Sequence, residues 1–160
     1  MTDSLALSGE LLGVMHVAAR KAVELGEPFI SVRAVLLALL DDPGIGPAIG
    51  GAVNREKLLA VPAEEDFGVQ RIYDEPSPDE DEPALVRYDT LAFKTPDGRS
   101  SVWLSRDALR IFMEGARRAQ ERYYPKQLAL GLATIATRSP GTISAIAVEP
   151  GGLAEAIYRL

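Results

Sequence analysis

The sequence contains two related segments, one in each half of the chain. Residues 7–24 align without a gap with residues 104–121, and seven of the eighteen aligned pairs are identical. After a shortening by four residues, residues 35–39 align with residues 128–132. A repeat unit that cannot bury its apolar face alone is stabilised by packing against a second copy. The duplication therefore predicts two similar halves that share one core around a pseudo-twofold axis.

Each half has the pattern of short amphipathic helices with defined starts. Apolar side chains recur at three- and four-residue steps after Ser8, which is a good helix N-cap. Ser31 stands before residues 32–40, which are so apolar that this second helix is predicted to be buried. Asn54 predicts the start of another short helix, and the corresponding starts in the second half are Ser105, Pro125, Pro140 and Pro150. We therefore expect an all-α fold of about eight helices, four in each repeat.

The residues between the two halves follow a different pattern. Residues 61–83 carry nine acids and one base, a net charge of −8, within a chain whose total is −6. Four prolines and few large apolar residues favour a solvated acidic loop here. Residues 84–103 alternate as strands do and contain the turn sequence Thr-Pro-Asp-Gly, which predicts a small β-hairpin. We expect a single domain, residues 1–160, with repeat one at 5–60, the insertion at 61–103 and repeat two at 104–160.

The composition argues against several classes of function. There is no cysteine, which excludes disulfides, thiolate nucleophiles and cysteine-ligated zinc. A net charge of −6 gives no general support for binding nucleic acid or anionic membranes. The longest apolar run, residues 34–40, is too short to span a bilayer, and the first residues do not resemble a secretion signal. We expect a cytoplasmic protein, and 13 arginines against four lysines would suit a GC-rich bacterial genome.

No arrangement of residues in the sequence is typical of catalysis. His16 is the only histidine, and its helical neighbours are apolar or basic, so we interpret it as a surface or boundary residue. The acidic clusters at residues 41–42 and 79–82 do not match a calcium-binding loop. The chain has neither a Gly-x-Ser-x-Gly nor a His-Glu-x-x-His motif. The sequence thus predicts a non-enzyme without metal or cofactor, although a small molecule could bind in a cleft between the repeats.

Residues 29–43 and 124–132, with the capped helices before them, resemble the Clp repeat. This repeat occurs twice in the N-terminal domain of Clp AAA+ unfoldases, and the likeness covers roughly residues 5–60 and 103–160. The resemblance implies a docking module that binds adaptors and substrate polypeptides and does no chemistry. Because no phosphate-binding Gly-x-x-x-x-Gly-Lys-Ser/Thr loop is present, we expect a free-standing relative that acts as an accessory protein, adaptor or decoy of a Clp machine.

The chain departs from the family at the start of the second helix of each repeat. Many members carry Gly-Thr-Glu-His there, whereas this chain has Ser-Val-Arg-Ala with Arg33 and Tyr-Pro-Lys-Gln with Lys126. In some members the glutamate helps to recognise phosphorylated arginine, so the resemblance implies that this activity is lost. Arg33 and Lys126 are instead candidate partner-binding residues that would favour an acidic peptide.

Two further features leave alternatives open. The helix after Ser105 is rich in arginine, which is typical of an exposed helix laced with salt bridges, but the arginines could also hold the acidic loop or an acidic partner. Five aromatic residues could anchor a partner or simply pack the hairpin onto the helices: Tyr88, Phe93 and Trp103 in the hairpin, with Tyr123 and Tyr124. The alternative function is therefore a regulatory or structural module that reuses the fold outside the Clp system, with the hairpin as its interface.

Overall fold

A computed structural model of the chain describes residues 6–60 and 91–160. The first repeat contains a short strand, four helices and one 3₁₀ turn. These are β1 (Ala6–Leu7), α1 (Gly9–Glu24), α2 (Val32–Asp41), α3 (Gly46–Ile49), the 3₁₀ turn (Gly50–Ala52) and α4 (Arg55–Ala60).

The hairpin and the second repeat follow in the order expected from the sequence. They comprise β2 (Ala92–Lys94), β3 (Ser101–Trp103), α5 (Arg106–Arg118), β4 (Arg122–Tyr123), α6 (Pro125–Arg138), α7 (Pro140–Ser144) and α8 (Pro150–Tyr158). Eight α-helices lie within the described ranges, and β2 pairs with β3 in antiparallel register. The predicted all-α fold with a small hairpin is confirmed, whereas the acidic loop at 61–83 and the predicted strand residues 84–90 lie outside the described residues.

Local side-chain caps explain where the long helices begin. The hydroxyl oxygens of Ser8, Ser31 and Ser105 each accept a hydrogen bond from the amide three residues later, at 3.0–3.1 Å. The helices at Pro140 and Pro150 also begin where predicted, but no side-chain cap precedes them. All three capping serines are buried, so the caps also satisfy polar groups inside the protein.

Two short parallel pairings join the repeats and reveal their symmetry. Leu7 pairs with Tyr123, and Ile30 forms a parallel bridge with Leu104. In the sequence alignment Leu7 corresponds to Leu104 and Ile30 to Tyr123, so exchanging the repeats converts one pairing into the other. The hydrogen bonds agree, because the amide after Leu7 donates to Tyr123 and the amide after Leu104 donates to Ile30, both at 2.9 Å. The predicted pseudo-twofold duplication is therefore confirmed.

Within the second repeat, α5 and α6 cross at a point where each helix carries a glycine, Gly115 on α5 and Gly131 on α6. A Cβ added to Gly131 would lie 2.5 Å from the Ile111 carbonyl oxygen and 2.6 Å from the Gly115 nitrogen. In the first repeat, the aligned positions are Ala18 and Ala38, both buried between α1 and α2. The backbones of α5 and α6 thus lie closer together than an alanine at position 131 would allow.

The hairpin packs onto the helices through one face. Phe93 on β2 is buried, and its ring centroid lies 5.7 Å from that of Phe112, which is 4.9 Å from Tyr123. The Tyr123 hydroxyl donates to the Phe112 carbonyl oxygen at 2.7 Å, and burial raises the pKa of this phenol above its ordinary value. His16 on α1 donates from Nδ1 to the Lys94 carbonyl oxygen at 2.6 Å. Phe93 therefore packs the hairpin onto the core, and His16 holds the strand in place.

Candidate partner-binding groove

A surface groove of about 520 Å³ lies beside the first turn of α6. Four parts of the chain meet around it: the first turn of α1, the loop between α2 and α3, the start of α6 and the last residue. Its lining residues include Glu10, Asp42, Pro43, Tyr124, Lys126 and Leu160. The walls are mainly apolar, and charged side chains stand among them.

The α2–α3 loop forms one wall because Asp42 organises its backbone. The carboxylate oxygen Oδ2 of Asp42 accepts hydrogen bonds from the amides of Gly44 and Ile45, both at 3.0 Å. Gly46 then runs so close to the carbonyl of Leu40 that a Cβ there would lie 2.9 Å from the carbonyl carbon. The loop is thus held in a single tight path against the end of α2.

The start of α6 forms the opposite wall. Pro125 occupies the first turn, and the Gln127 side-chain oxygen accepts from the Tyr124 amide at 2.9 Å, so the helix start is satisfied without a serine cap. The Tyr124 side chain is therefore released to the surface, where the residue is 43% exposed. Lys126 is also exposed and forms no ion pair with any residue in the described part of the chain.

The equivalent position in the first repeat, the start of α2, is buried and is not accessible to a partner. Arg33 is only 5% exposed, and its guanidinium donates to the Leu58 carbonyl oxygen and to the Glu27 carboxylate, each at 3.0 Å. The Ser31 hydroxyl donates to the other oxygen of Glu27 at 2.7 Å. This network joins the start of α2 to α4, so the charge of Arg33 is already neutralised inside the first repeat.

The structure thus places the two predicted partner-binding residues in different settings. Lys126 lies at an open groove, whereas Arg33 lies in a buried ion pair on the other repeat. A direct contact between Arg33 and a partner stays a prediction, and it requires the pair with Glu27 to open. The sequence comparison could not distinguish the two residues, since both are cations at aligned positions.

The sequence indicated Tyr124 among the aromatic residues that could anchor a partner, and its aligned position carries a further signal for this role. Ser8, Ser31 and Ser105 start three of the long helices, and Tyr124 stands at the aligned position of the fourth. Tyrosine is not a preferred N-cap, so its presence indicates a role other than starting the helix. Tyr124 also borders a second, polar groove of about 500 Å³, whose other lining residues include Arg118, Glu121 and Arg122.

The described residues contain no cluster of side chains that could hold a metal ion. His16 contacts a backbone carbonyl rather than a nucleophile, and no group of three or more histidine, aspartate or glutamate side chains lies close enough to hold a metal within residues 6–60 and 91–160. Over the same residues, no helix has both the length and the apolar character needed to cross a membrane.

Comparison with known proteins supports the fold. The chain is similar to the crystal structure of the N-terminal domain of the caseinolytic protease associated chaperone ClpD from Arabidopsis thaliana, with a TM-score of 0.53 and 18% sequence identity. The match covers 96% of this chain and 92% of that domain. No protein-family model and no curated protein matches the sequence. The structural likeness shows a Clp N-domain-like fold, as the repeat motif implied.

Proposed function

From the Clp N-domain-like fold of this chain, we propose that it is a non-enzymatic module that binds polypeptides. Its partners in this proposal belong to a Clp unfoldase or protease system, in which the chain acts as accessory protein, adaptor or decoy. The observation that carries the proposal is the open groove at the start of α6, where Tyr124 and Lys126 are exposed. The similar domain of ClpD belongs to a protease-associated chaperone, which supports the choice of system.

The chemistry of the groove suits one anchoring side chain of a peptide. Its volume of about 520 Å³ is within the usual range of ligand sites, and Tyr124 with Pro43 and Leu160 offers an apolar surface. Exposed tyrosines are common among the residues that dominate binding energy at interfaces. Lys126 beside this surface can pair with a carboxylate of the peptide, and Glu10 and Asp42 in the same lining can pair with a basic residue of it. The preference for acidic partners stays a prediction.

The test is retention of a purified Clp ATPase ring and its adaptors on the immobilised chain. We expect the wild-type chain to retain one of them and the variant Tyr124→Ala/Lys126→Glu to lose it. The matched control is Tyr158→Ala/Lys57→Glu, which changes an exposed tyrosine and an exposed lysine away from the groove. Equal retention by the groove variant and the control would contradict the assignment of the groove, and no retention by the wild-type chain would contradict the Clp partnership.

The alternative function, an interaction module outside the Clp system, rests on the hairpin. Trp103 on β3 is 39% exposed, whereas its neighbour Val102 faces the core. A large aromatic side chain at the surface of an insertion is a suitable anchor for a partner. This alternative predicts that Trp103→Ala abolishes binding to the chain's partners while Tyr124→Ala/Lys126→Glu leaves it unchanged.

A further inference from the structure

A second surface, on the side of α5 and α6, is formed by arginines. Arg110, Arg117 and Arg118 are spaced at seven and eight residues along α5, which places them on one face of that helix. Arg138, at the end of α6, reaches the same place, because it contacts Glu114 of α5 at 3.4 Å. We call these four residues the arginine face.

One carboxylate holds three of these arginines. Glu114 lies within 3.4–3.8 Å of the guanidinium groups of Arg117, Arg118 and Arg138. Its side chain is only 11% exposed, whereas those of Arg117 and Arg138 are 76% and 62% exposed. Glu114 therefore orients the cations from below and leaves their outer edges accessible to a ligand.

Two hydroxyl groups also hold arginines of the arginine face in position. The Arg118 guanidinium donates to the Thr134 hydroxyl oxygen at 2.6 Å, and that of Arg110 donates to the Ser139 hydroxyl oxygen at 3.0 Å. Hydroxyl groups fix the position of a guanidinium without cancelling its charge. This use of Ser139 also explains why that residue does not cap α7.

The arginine face keeps an excess of positive charge. Four arginines stand against two carboxylates, Glu114 and Asp107, which leaves a local charge of +2. Side chains already held in place lose little conformational entropy when a ligand binds. Guanidinium groups also donate paired hydrogen bonds to a carboxylate, which makes a fixed arginine a better partner for acidic side chains than a mobile lysine.

We propose that the arginine face binds an acidic segment of a partner polypeptide. The site is separate from the α6 groove and goes beyond the proposed function. The distance along α5 from Arg110 to Arg118 is about 12 Å, the length of roughly four residues of extended peptide. Individual carboxylates can bind the outer edges of the guanidiniums, whereas a chain of net charge −6 gives no general attraction for a long phosphate backbone. An acidic peptide therefore fits this surface better than a nucleic acid.

The probe for this proposal is a fluorescein-labelled peptide of ten glutamates, titrated with the full chain and followed by fluorescence anisotropy. We expect Arg117→Gln/Arg138→Gln to raise Kd about tenfold. The matched control Arg20→Gln/Arg159→Gln removes the same number of exposed cations elsewhere and should change Kd by less than about twofold. A peptide of ten glutamines should not bind.

Two results would overturn the proposal. An equal increase of Kd in the two double variants would mean that binding of the peptide depends only on the net charge of the protein. Tighter binding of a ten-nucleotide oligothymidylate, lost in the same arginine variant, would assign the surface to nucleic acid. Because the altered residues are exposed, thermal melting should confirm that both variants are folded. The variant Lys126→Gln alters the groove and leaves Tyr124, which borders a second groove together with Arg118, unchanged. It should bind the acidic peptide normally, so failure of the groove and failure of the arginine face are distinguishable.

Discussion

At the scale of the residue, the contrast between Arg33 and Lys126 is the most informative feature. Both are cations at the same position of the repeat, but Arg33 binds Glu27 and the Leu58 carbonyl while Lys126 points to an open groove. A buried carboxylate that loses its partner is strongly destabilising, because its charge is then uncompensated in a poorly solvated place. The same substitution at the two sites should therefore have very different effects.

We expect Arg33→Met to lower the free energy of unfolding by about 3 kcal/mol, because it leaves the Glu27 carboxylate unpaired. The aligned substitution Lys126→Met should change it by less than about 0.5 kcal/mol. Urea denaturation of both variants measures the difference. Adding Glu27→Leu to Arg33→Met should restore much of the loss, and a wild-type midpoint for Arg33→Met alone would show that the ion pair is not structurally important.

At the scale of the element, the crossing of α5 and α6 depends on Gly131. An added methyl group would collide with the backbone at Ile111 and Gly115, and backbone atoms cannot rotate away as a side chain can. The helices that carry the arginine face would have to separate. The stability of the second repeat and the geometry of that surface are thus linked through one small residue.

Gly131→Ala should destabilise the protein by about 2 kcal/mol, the usual cost of overpacking a tight interface. The matched control is Gly13→Ala on α1, where no atom lies near the added Cβ. That substitution should stabilise the protein by about 0.5–1 kcal/mol, because alanine is the better helix former. Thermal melts followed by far-UV circular dichroism measure both changes, and a neutral or stabilising effect of Gly131→Ala would contradict the close crossing.

At the scale of the whole molecule, the two repeats are joined by a shared core and by exchanged strand pairs. Leu7 reaches across to Tyr123, and Ile30 reaches across to Leu104, so neither repeat completes its backbone hydrogen bonds alone. The hairpin adds Phe93 to the aromatic cluster that contains Tyr123. The repeats are therefore expected to unfold together rather than one after the other.

This cooperativity can be measured with two probes. Trp103 is the only tryptophan and lies on the hairpin, whereas far-UV circular dichroism reports on helices in both repeats. In urea, the fluorescence and dichroism transitions should coincide, as they do for a two-state domain. Two separated midpoints would show that the hairpin and the helices do not unfold as one unit.

The sequence by itself determined the repeat and its element order. Helix starts follow from contacts within one turn, such as the bond from Leu11 to Ser8, and so they can be recognised locally. The hairpin turn is an equally local signal, and the two-copy pattern is recognised by aligning one half of the chain with the other. These features account for the helical fold and for the pseudo-twofold arrangement of the two repeats that the alignment predicted, whereas the parallel strand pairs between the repeats were not predicted.

The tertiary structure alone decided which parts of this fold are accessible. The closure of the first repeat around Arg33 depends on Leu58, which lies 25 residues away, and the α6 groove is formed by Asp42, Tyr124 and Leu160 from distant parts of the chain. The arginine face similarly needs Glu114 and Arg138 to meet across two helices. Burial and charge pairing arise from such long-range packing, so cations at aligned positions of the two repeats can end in opposite environments.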